Sequence, residues 1–302
     1  IISLSSTLLP SVMNLALVSI PLSEARVAIE RMFEFTQLNA EDSKEGRAWE
    51  PSGISSISLE GISFRYPGQK LLLKDIDLEV RQGGITALVG ESGSGKSTLV
   101  NILMRFYQPE SGKIKVNEVF GHEEIPLDRW RKSIGLIPQE VHLFNGTVLE
   151  NIIPDPDEAR LNRLIKITSE YGLESFIASL PLGLATLTGE EGVKLSGGQK
   201  QVIAFIRALF NEPDILIIDE GTSGMDRDTE ALILKIMMRI KEKTGILLVT
   251  HRINIIRKLC DRMYLLEGGR ITASGSHFEL LSTDNLYRRY WEEFDPIVPE
   301  RI

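Results

Sequence analysis

Eight residues, Gly90-Glu91-Ser92-Gly93-Ser94-Gly95-Lys96-Ser97, constrain this chain more than any other segment. They fit the pattern G-x-x-x-x-G-K-[ST]. Ile85–Val89, an apolar and β-branched run, precedes them and predicts a buried strand. Thr98–Phe106 follows, with helical apolar spacing at Leu99, Ile102, Leu103 and Phe106. A strand, a glycine loop and a helix in that order make the setting in which backbone N–H groups can turn inward around phosphate oxygens. The start of the helix adds the positive end of its dipole. Lys96 can reach terminal phosphates, and the Ser97 hydroxyl is a hard ligand for Mg²⁺. The loop therefore predicts that a nucleoside triphosphate is bound, without saying for what purpose.

Two other stretches carry chemistry. Ile215–Ile218 are four apolar residues running into Asp219 and Glu220. A buried strand would deliver both acids at its C-terminal end, where ligands sit in open α/β sheets. Asp219 could hold Mg²⁺, and Glu220 could accept a proton from an attacking water. Taken alone, the same residues also read as a buried strand followed by a solvated acidic turn. Leu195-Ser196-Gly197-Gly198-Gln199 precedes a helical stretch, Lys200–Leu209. It is a second place where amides and a hydroxyl can meet an anion, or simply an N-capped helix after a glycine turn.

Composition limits the alternatives. The formal net charge of −8 argues against nucleic acid as a partner. One cysteine, Cys260, excludes an internal disulfide, and His122, His142, His251 and His277 are scattered without metal-ligand spacing. Along the chain, Ile57, Leu59 and Ile62, and then Ile76, Leu78 and Val80, predict a half-buried antiparallel sheet. Gly135–Ile137, Ile246–Val249 and Met263–Leu266 join Ile85–Val89 and Ile215–Ile218 as short buried strands of a sheet covered on both faces. Residues 143–210 show helical patterns and no convincing strand, as in a helical insertion between two parts of an α/β core. Asn39–Ser55 is polar and reads as a linker. Ser23–Phe35 reads as a helix with Ala25, Ala28, Ile29, Met32 and Phe33 on one face. Residues 1–23 carry no charge and contain Pro10 and Pro21. That stretch reads either as the end of a transmembrane helix or as a soluble amphipathic helix. The Ile-Ile start, without Met, suggests a fragment or a processed product.

The phosphate loop, the Leu-Ser-Gly-Gly-Gln turn and the apolar run ending Asp-Glu stand in the order characteristic of the ATP-binding cassette (ABC) family, which residues 57–290 resemble. The resemblance implies an α/β fold: a P-loop NTPase core with an antiparallel β subdomain and a helical subdomain. It implies ATP and Mg²⁺ as cofactors. Gly90, Glu91, Ser92, Gly93, Ser94, Gly95, Lys96, Ser97 and Thr98 would hold the phosphates, and Tyr66 would stack on adenine. Gln139, at the end of Ile-Gly-Leu-Ile-Pro-Gln, would contact Mg²⁺ with Ser97 and Asp219. His251, in Thr-His-Arg, would contact the γ-phosphate and hold Glu220 and water in line, so Glu220, His251, Lys96 and Gln139 form the implied catalytic set. One cassette supplies half of a site in this family, so Ser196, Gly197, Gly198 and Gln199 would close over the nucleotide of a second copy. Asp226 ends the segment Gly221-Thr222-Ser223-Gly224-Met225-Asp226, which departs from the family's usual Ala-Thr-Ser-Ala-Leu-Asp by two glycines.

Which kind of cassette is indicated by what surrounds these motifs. A repair-type ATPase would place a long coiled coil between Gln139 and Leu195, and none is encoded. A translation-type member would carry two cassettes, and an importer ATPase would start at the first strand. Asn145–Ile152 and Thr188-Gly189-Glu190-Glu191-Gly192 resemble exporter segments, and Glu24–Arg31 resembles the cytosolic end of the last membrane helix of exporters, most of all peptide exporters. That resemblance favours the membrane reading of the N-terminal stretch. The implied organisation is 1–36 as the end of the last transmembrane helix and its extension, 37–55 as a linker, and 56–302 as the nucleotide-binding domain. The implied partners are a second nucleotide-binding domain and the transmembrane domain of the same transporter, at the cytoplasmic face of the cell membrane.

Overall fold

The structure, a computed structural model, describes residues 2–37, 53–189, 192–220 and 225–294. The chain divides into two compact units, Ile1–Lys44 and Glu45–Ile302.

The first unit is a single helix, α1 (Ile2–Thr36), which joins the Ser23–Phe35 helix to the uncharged stretch before it. Leu17, Val18, Ile20 and Leu22 are all exposed. At 3.6 residues per turn they fall at about 0°, 100°, 300° and 140° around the axis, an apolar arc of about 200° that leaves the face of Ser19 and Ser23 polar. Among the described residues no helix is long and apolar enough to cross a membrane.

The second unit is built on two large sheets. Its elements are β1 (Ser56–Phe64), β2 (Leu73–Arg81), β3 (Ile85–Gly90), α2 (Lys96–Leu103), β4 (Ser111–Val116), β5 (Phe120–Gly121), α3 (Leu127–Ser133), β6 (Ile134–Ile137), β7 (Gly146–Thr147), α4 (Val148–Ile152), α5 (Glu158–Tyr171), α6 (Glu174–Ser179), β8 (Leu187–Thr188), α7 (Gly197–Phe210), β9 (Ile215–Asp219), α8 (Arg227–Ile240), β10 (Gly245–Val249), α9 (Ile253–Leu259), β11 (Arg262–Glu267), β12 (Arg270–Gly275), α10 (His277–Leu281) and α11 (Leu286–Phe294). The antiparallel sheet has the order β2-β1-β4-β5. The second sheet has the order β12-β11-β3-β10-β9-β6, all neighbours parallel except the β11–β12 edge.

The period of two along a strand divides the core into layers. Leu216, Ile218, Ile246 and Leu248 pack with α4, α5, α7 and α8 on one face. Their neighbours Ile215, Ile217, Leu247 and Val249 turn the other way, onto α2 and the antiparallel sheet. Ala87, Val89, Met263 and Leu265 join α10 and α11 in a third cluster. Strands β3, β9 and β10 are buried along their whole length, which is why they read as nearly continuous apolar runs.

Two expectations need correction. The segment 143–210 is mostly helical but also holds a two-residue antiparallel ladder, β7 with β8. Phe106 does not continue α2. The helix ends at Leu103, Arg105 takes a left-handed φ of 59°, and the Phe106 N–H returns to the Asn101 carbonyl at 2.9 Å. Its exposed ring is covered by the Arg131 guanidinium at 4.9 Å.

Candidate functional site

Strand register explains how distant residues meet. Val249 pairs with Leu88 on one side and with Asp219 on the other, and Ile137 pairs with Ile218. The C-terminal ends of β3, β9, β10 and β6 are therefore level. The segments leaving them carry the 90–97 loop, Glu220, His251 and Gln139. All four border one cavity of about 1020 Å³.

The loop is shaped by close approach. Gly93 and Gly95 take φ of 78° and 108°, conformations that L side chains rarely adopt. A Cβ on Gly95 would also lie 2.7 Å from Leu73 Cδ2. Lys96 is buried, and its Nζ donates to the carbonyls of Gly90 (2.9 Å) and Glu91 (2.8 Å). Burial lowers its pKa, and the nearby carboxylates of Glu220 and Asp219 pull the other way. Asp219 is also buried. Desolvation raises its pKa, while a hydrogen bond from Ser97 and the charge of Lys96 oppose the rise. Ser97, Lys96 and Asp219 thus form one linked group at the loop's base.

Glu220 stands at the mouth. Its backbone is left-handed, φ 49°, and its N–H donates to the Val249 carbonyl at 2.9 Å. Gln139 Nε2 donates to Glu220 Oε2 at 2.8 Å, and His251 Nδ1 lies 3.2 Å from Glu220 Oε1. Each carboxylate oxygen is held by a residue from a different strand end. With Nε2 on Glu220, the Gln139 Oε1 is left as an acceptor. A left-handed non-glycine residue at such a place is a strain that its surroundings must impose.

Other expected residues lie elsewhere. The Tyr66 hydroxyl meets Thr98 Oγ1 at 3.1 Å, and its ring packs edge-on against Phe64 and Tyr107. Thr98 borders the cavity and Tyr66 does not. The Ser94 Oγ is buried without a hydrogen-bond partner among the described residues. Ser196 caps α7. Its Oγ accepts from the Gln199 N–H at 3.1 Å, and Gln199 Oε1 accepts from the Ser196 N–H at 2.9 Å. Gly197 and Gly198 form the first turn of that helix, and none of Ser196–Gln199 borders the cavity. Asp226 caps α8, accepting from Asp228, Thr229 and the Thr229 hydroxyl, and these bonds lower its pKa. Residues 221–224, with their two glycines, and Glu190-Glu191 lie outside the described residues.

The cavity also takes in Leu72, Arg252 and Tyr290, which local sequence patterns did not single out. Arg252 adjoins His251 and pairs with Glu230 at 2.6 Å. Tyr290 comes from α11, and no signal near it in the sequence points to the cavity.

Three comparisons with known proteins bear on this geometry. A family model described as "ABC transporter" matches residues 73–223, half of the chain. The iron-sulfur clusters transporter ATM1 of Candida glabrata mitochondria is 35% identical over 277 residues, 89% of this chain and 38% of that protein. The leukotoxin translocation ATP-binding protein LktB of Mannheimia haemolytica is 39% identical over 244 residues, 80% of this chain and 34% of that protein. A solved structure of a bacterial Atm1-family ABC exporter with ATP bound superposes with a TM-score of 0.80 at 31% identity, covering 92% of this chain and 48% of that one. The chain spans about a third of the length of the curated relatives it matches.

Proposed function

The chain belongs to the ABC transporter family, and from that premise we propose that it is the ATP-hydrolysing cassette of an exporter, active as a head-to-tail pair. The observation that carries the proposal is the carboxylate of Glu220, held at the mouth of the phosphate loop by Gln139 on one oxygen and His251 on the other. That arrangement suits a base that takes a proton from water attacking a terminal phosphoryl group.

The remaining residues divide the work. Amides of Gly90–Ser97 cradle the phosphates, and Lys96 leaves its loop carbonyls to neutralise their charge. Thr98, at the cavity wall, continues the cradle, and Tyr66 offers its ring to adenine beside it. Ser97, Asp219 and the Gln139 carbonyl are hard oxygen donors, few enough that Mg²⁺ would share them with the phosphates and there polarise the phosphoryl oxygens. Among the described residues no group of three His, Cys, Asp or Glu side chains could hold a metal, which fits an ion that arrives with its nucleotide.

Ser196, Gly197, Gly198 and Gln199 lie away from the cavity, as residues that serve a second copy would. Asp226 stays at the adjoining helix start, where a facing chain would meet it. The exposed apolar arc of α1 between Leu17 and Leu22, about 200° wide, is suited to burial against other apolar segments. It supports a transmembrane domain as partner and the cytoplasmic face of the membrane as location. Relatives named for iron–sulfur clusters and for a leukotoxin share this cassette, so cargo is proposed to be chosen outside it. The test is Glu220→Gln. Nucleotide binding should persist, turnover should stop, and light scattering should show an ATP-dependent dimer. Hydrolysis at the parental rate would remove Glu220 as the base.

A further inference from the structure

We propose that Gln201 is a positioning residue that ties the helix carrying Ser196 to the carboxylate of Glu220 in the same chain. The inference rests on the reading of Glu220 as the base and extends it to how that base is kept in place.

Gln201 is buried on α7, five residues beyond Ser196. Its Nε2 donates to two carbonyls of the segment leaving β6, Gln139 at 3.0 Å and Pro138 at 3.3 Å. Gln139 in turn donates from its side chain to Glu220 Oε2 at 2.8 Å. An unbroken path therefore runs from Ser196 along one helix to Gln201, through the backbone of Gln139 to its amide, and on to Glu220. Ser196 and Gln199 lock the start of α7 in a reciprocal cap, so a displacement at Ser196 is carried by the helix rather than absorbed at its end.

The chemistry of Gln201 argues against simple packing. Its Oε1 is buried with no hydrogen-bond partner among the described residues. A buried amide that serves the core satisfies both ends. Here only the donor is used, and the orphaned acceptor is a cost that methionine of similar shape would avoid. The orientation is not arbitrary either, because both neighbours are carbonyl oxygens and only the NH₂ end can face them. Pro138 and Gln139 are not fully buried, so they could turn to water if the donor were lost. What would be lost with the amide is the fixed position of Gln139.

When a second copy's nucleotide engages Ser196, the same helix would set Gln139 against Glu220. Closure at one site of a pair would then prepare the base of the other.

The experiment compares Gln201→Met, Gln139→Ala and the double variant in the full chain, measuring ATP turnover and nucleotide affinity. Gln201→Met should lower kcat about tenfold, with ATP affinity within about twofold and thermal stability equal to or above the parent. In the Gln139→Ala background it should add nothing, since both act through one path. Gln201→Glu, which faces two carbonyls with acceptors alone, should lower kcat further. Parental kcat in Gln201→Met, or equal losses with and without Gln139, would overturn the proposal. Glu220→Gln run in parallel separates the two readings: turnover in Glu220→Gln removes the base assignment, whereas a silent Glu220→Gln beside a fully active Gln201→Met removes the positioning role of Gln201 alone.

Discussion

The left-handed backbone of Glu220 gives a stability prediction that runs against the ordinary ranking of residues. At φ 49° a side chain with a Cβ costs about 1–2 kcal/mol relative to glycine. The conformation is fixed by the Glu220 N–H bond to Val249 and by the strand register around it, so it should survive replacement of the side chain. Glu220→Gly and Glu220→Ala both remove the carboxylate and its bonds to Gln139 and His251, and those losses cancel between them. What differs is the strain, set against the extra freedom glycine gains in the unfolded chain, about 0.4–1 kcal/mol. The balance leaves glycine more stable than alanine by about 1 kcal/mol, or about 2–4 °C in Tm for a domain of this size. Thermal unfolding of the two variants without nucleotide measures it, and neither should hydrolyse ATP. An alanine variant that melts with or above the glycine variant would refute the claim that the base is held in strain.

The other predictions concern the loop and its base. Burial raises the Asp219 pKa, so the folded chain holds that proton more tightly than the unfolded chain. Its contribution to stability is then present below the ordinary aspartate value and is lost as pH rises through the raised one. Asp219→Asn should flatten that part of the stability–pH curve, raise Tm at neutral pH and reduce Mg²⁺-dependent turnover; an unchanged curve from thermal melts across pH would contradict the assignment. Gly90→Ala would drive a Cβ against the Leu266 carbonyl oxygen and to 2.9 Å from Ser94 Oγ, where β3 and β11 are paired. It should cost about 2 kcal/mol of stability and weaken nucleotide binding, read by chemical denaturation and by titration.

The buried strands and the loop were legible because each is a local signal. Complete burial demands continuous apolar residues, and a phosphate cradle demands its glycines. The strands that escaped notice are polar on one face. In β4, Lys113 alternates with Ile114 and Lys115 with Val116, and β12 mixes Arg270, Thr272 and Ser274 with two apolar residues at an edge. The two residues of β7 are too short to show a period. Phe106 keeps the helical spacing, but the chain leaves the helix at Arg105, which no apolar count reveals. At the site, motif residues were found by pattern, whereas Gln201 depends on carbonyls 62 and 63 residues away in sequence. Leu72 and Tyr290 reach the cavity only through packing.

The central claim is that this cavity is half of a site, completed by Ser196–Gln199 of a second copy. Lys96→Ala removes one half and Ser196→Ala the other. Each variant alone should be nearly silent. Mixed in equal amounts, half of the pairs combine the two variants, and each such pair carries one complete site. Turnover should rise well above either variant alone, to at most about one quarter of the parental rate, because the one complete site lacks a working neighbour. A mixture no more active than the average of the two variants measured separately would contradict the account.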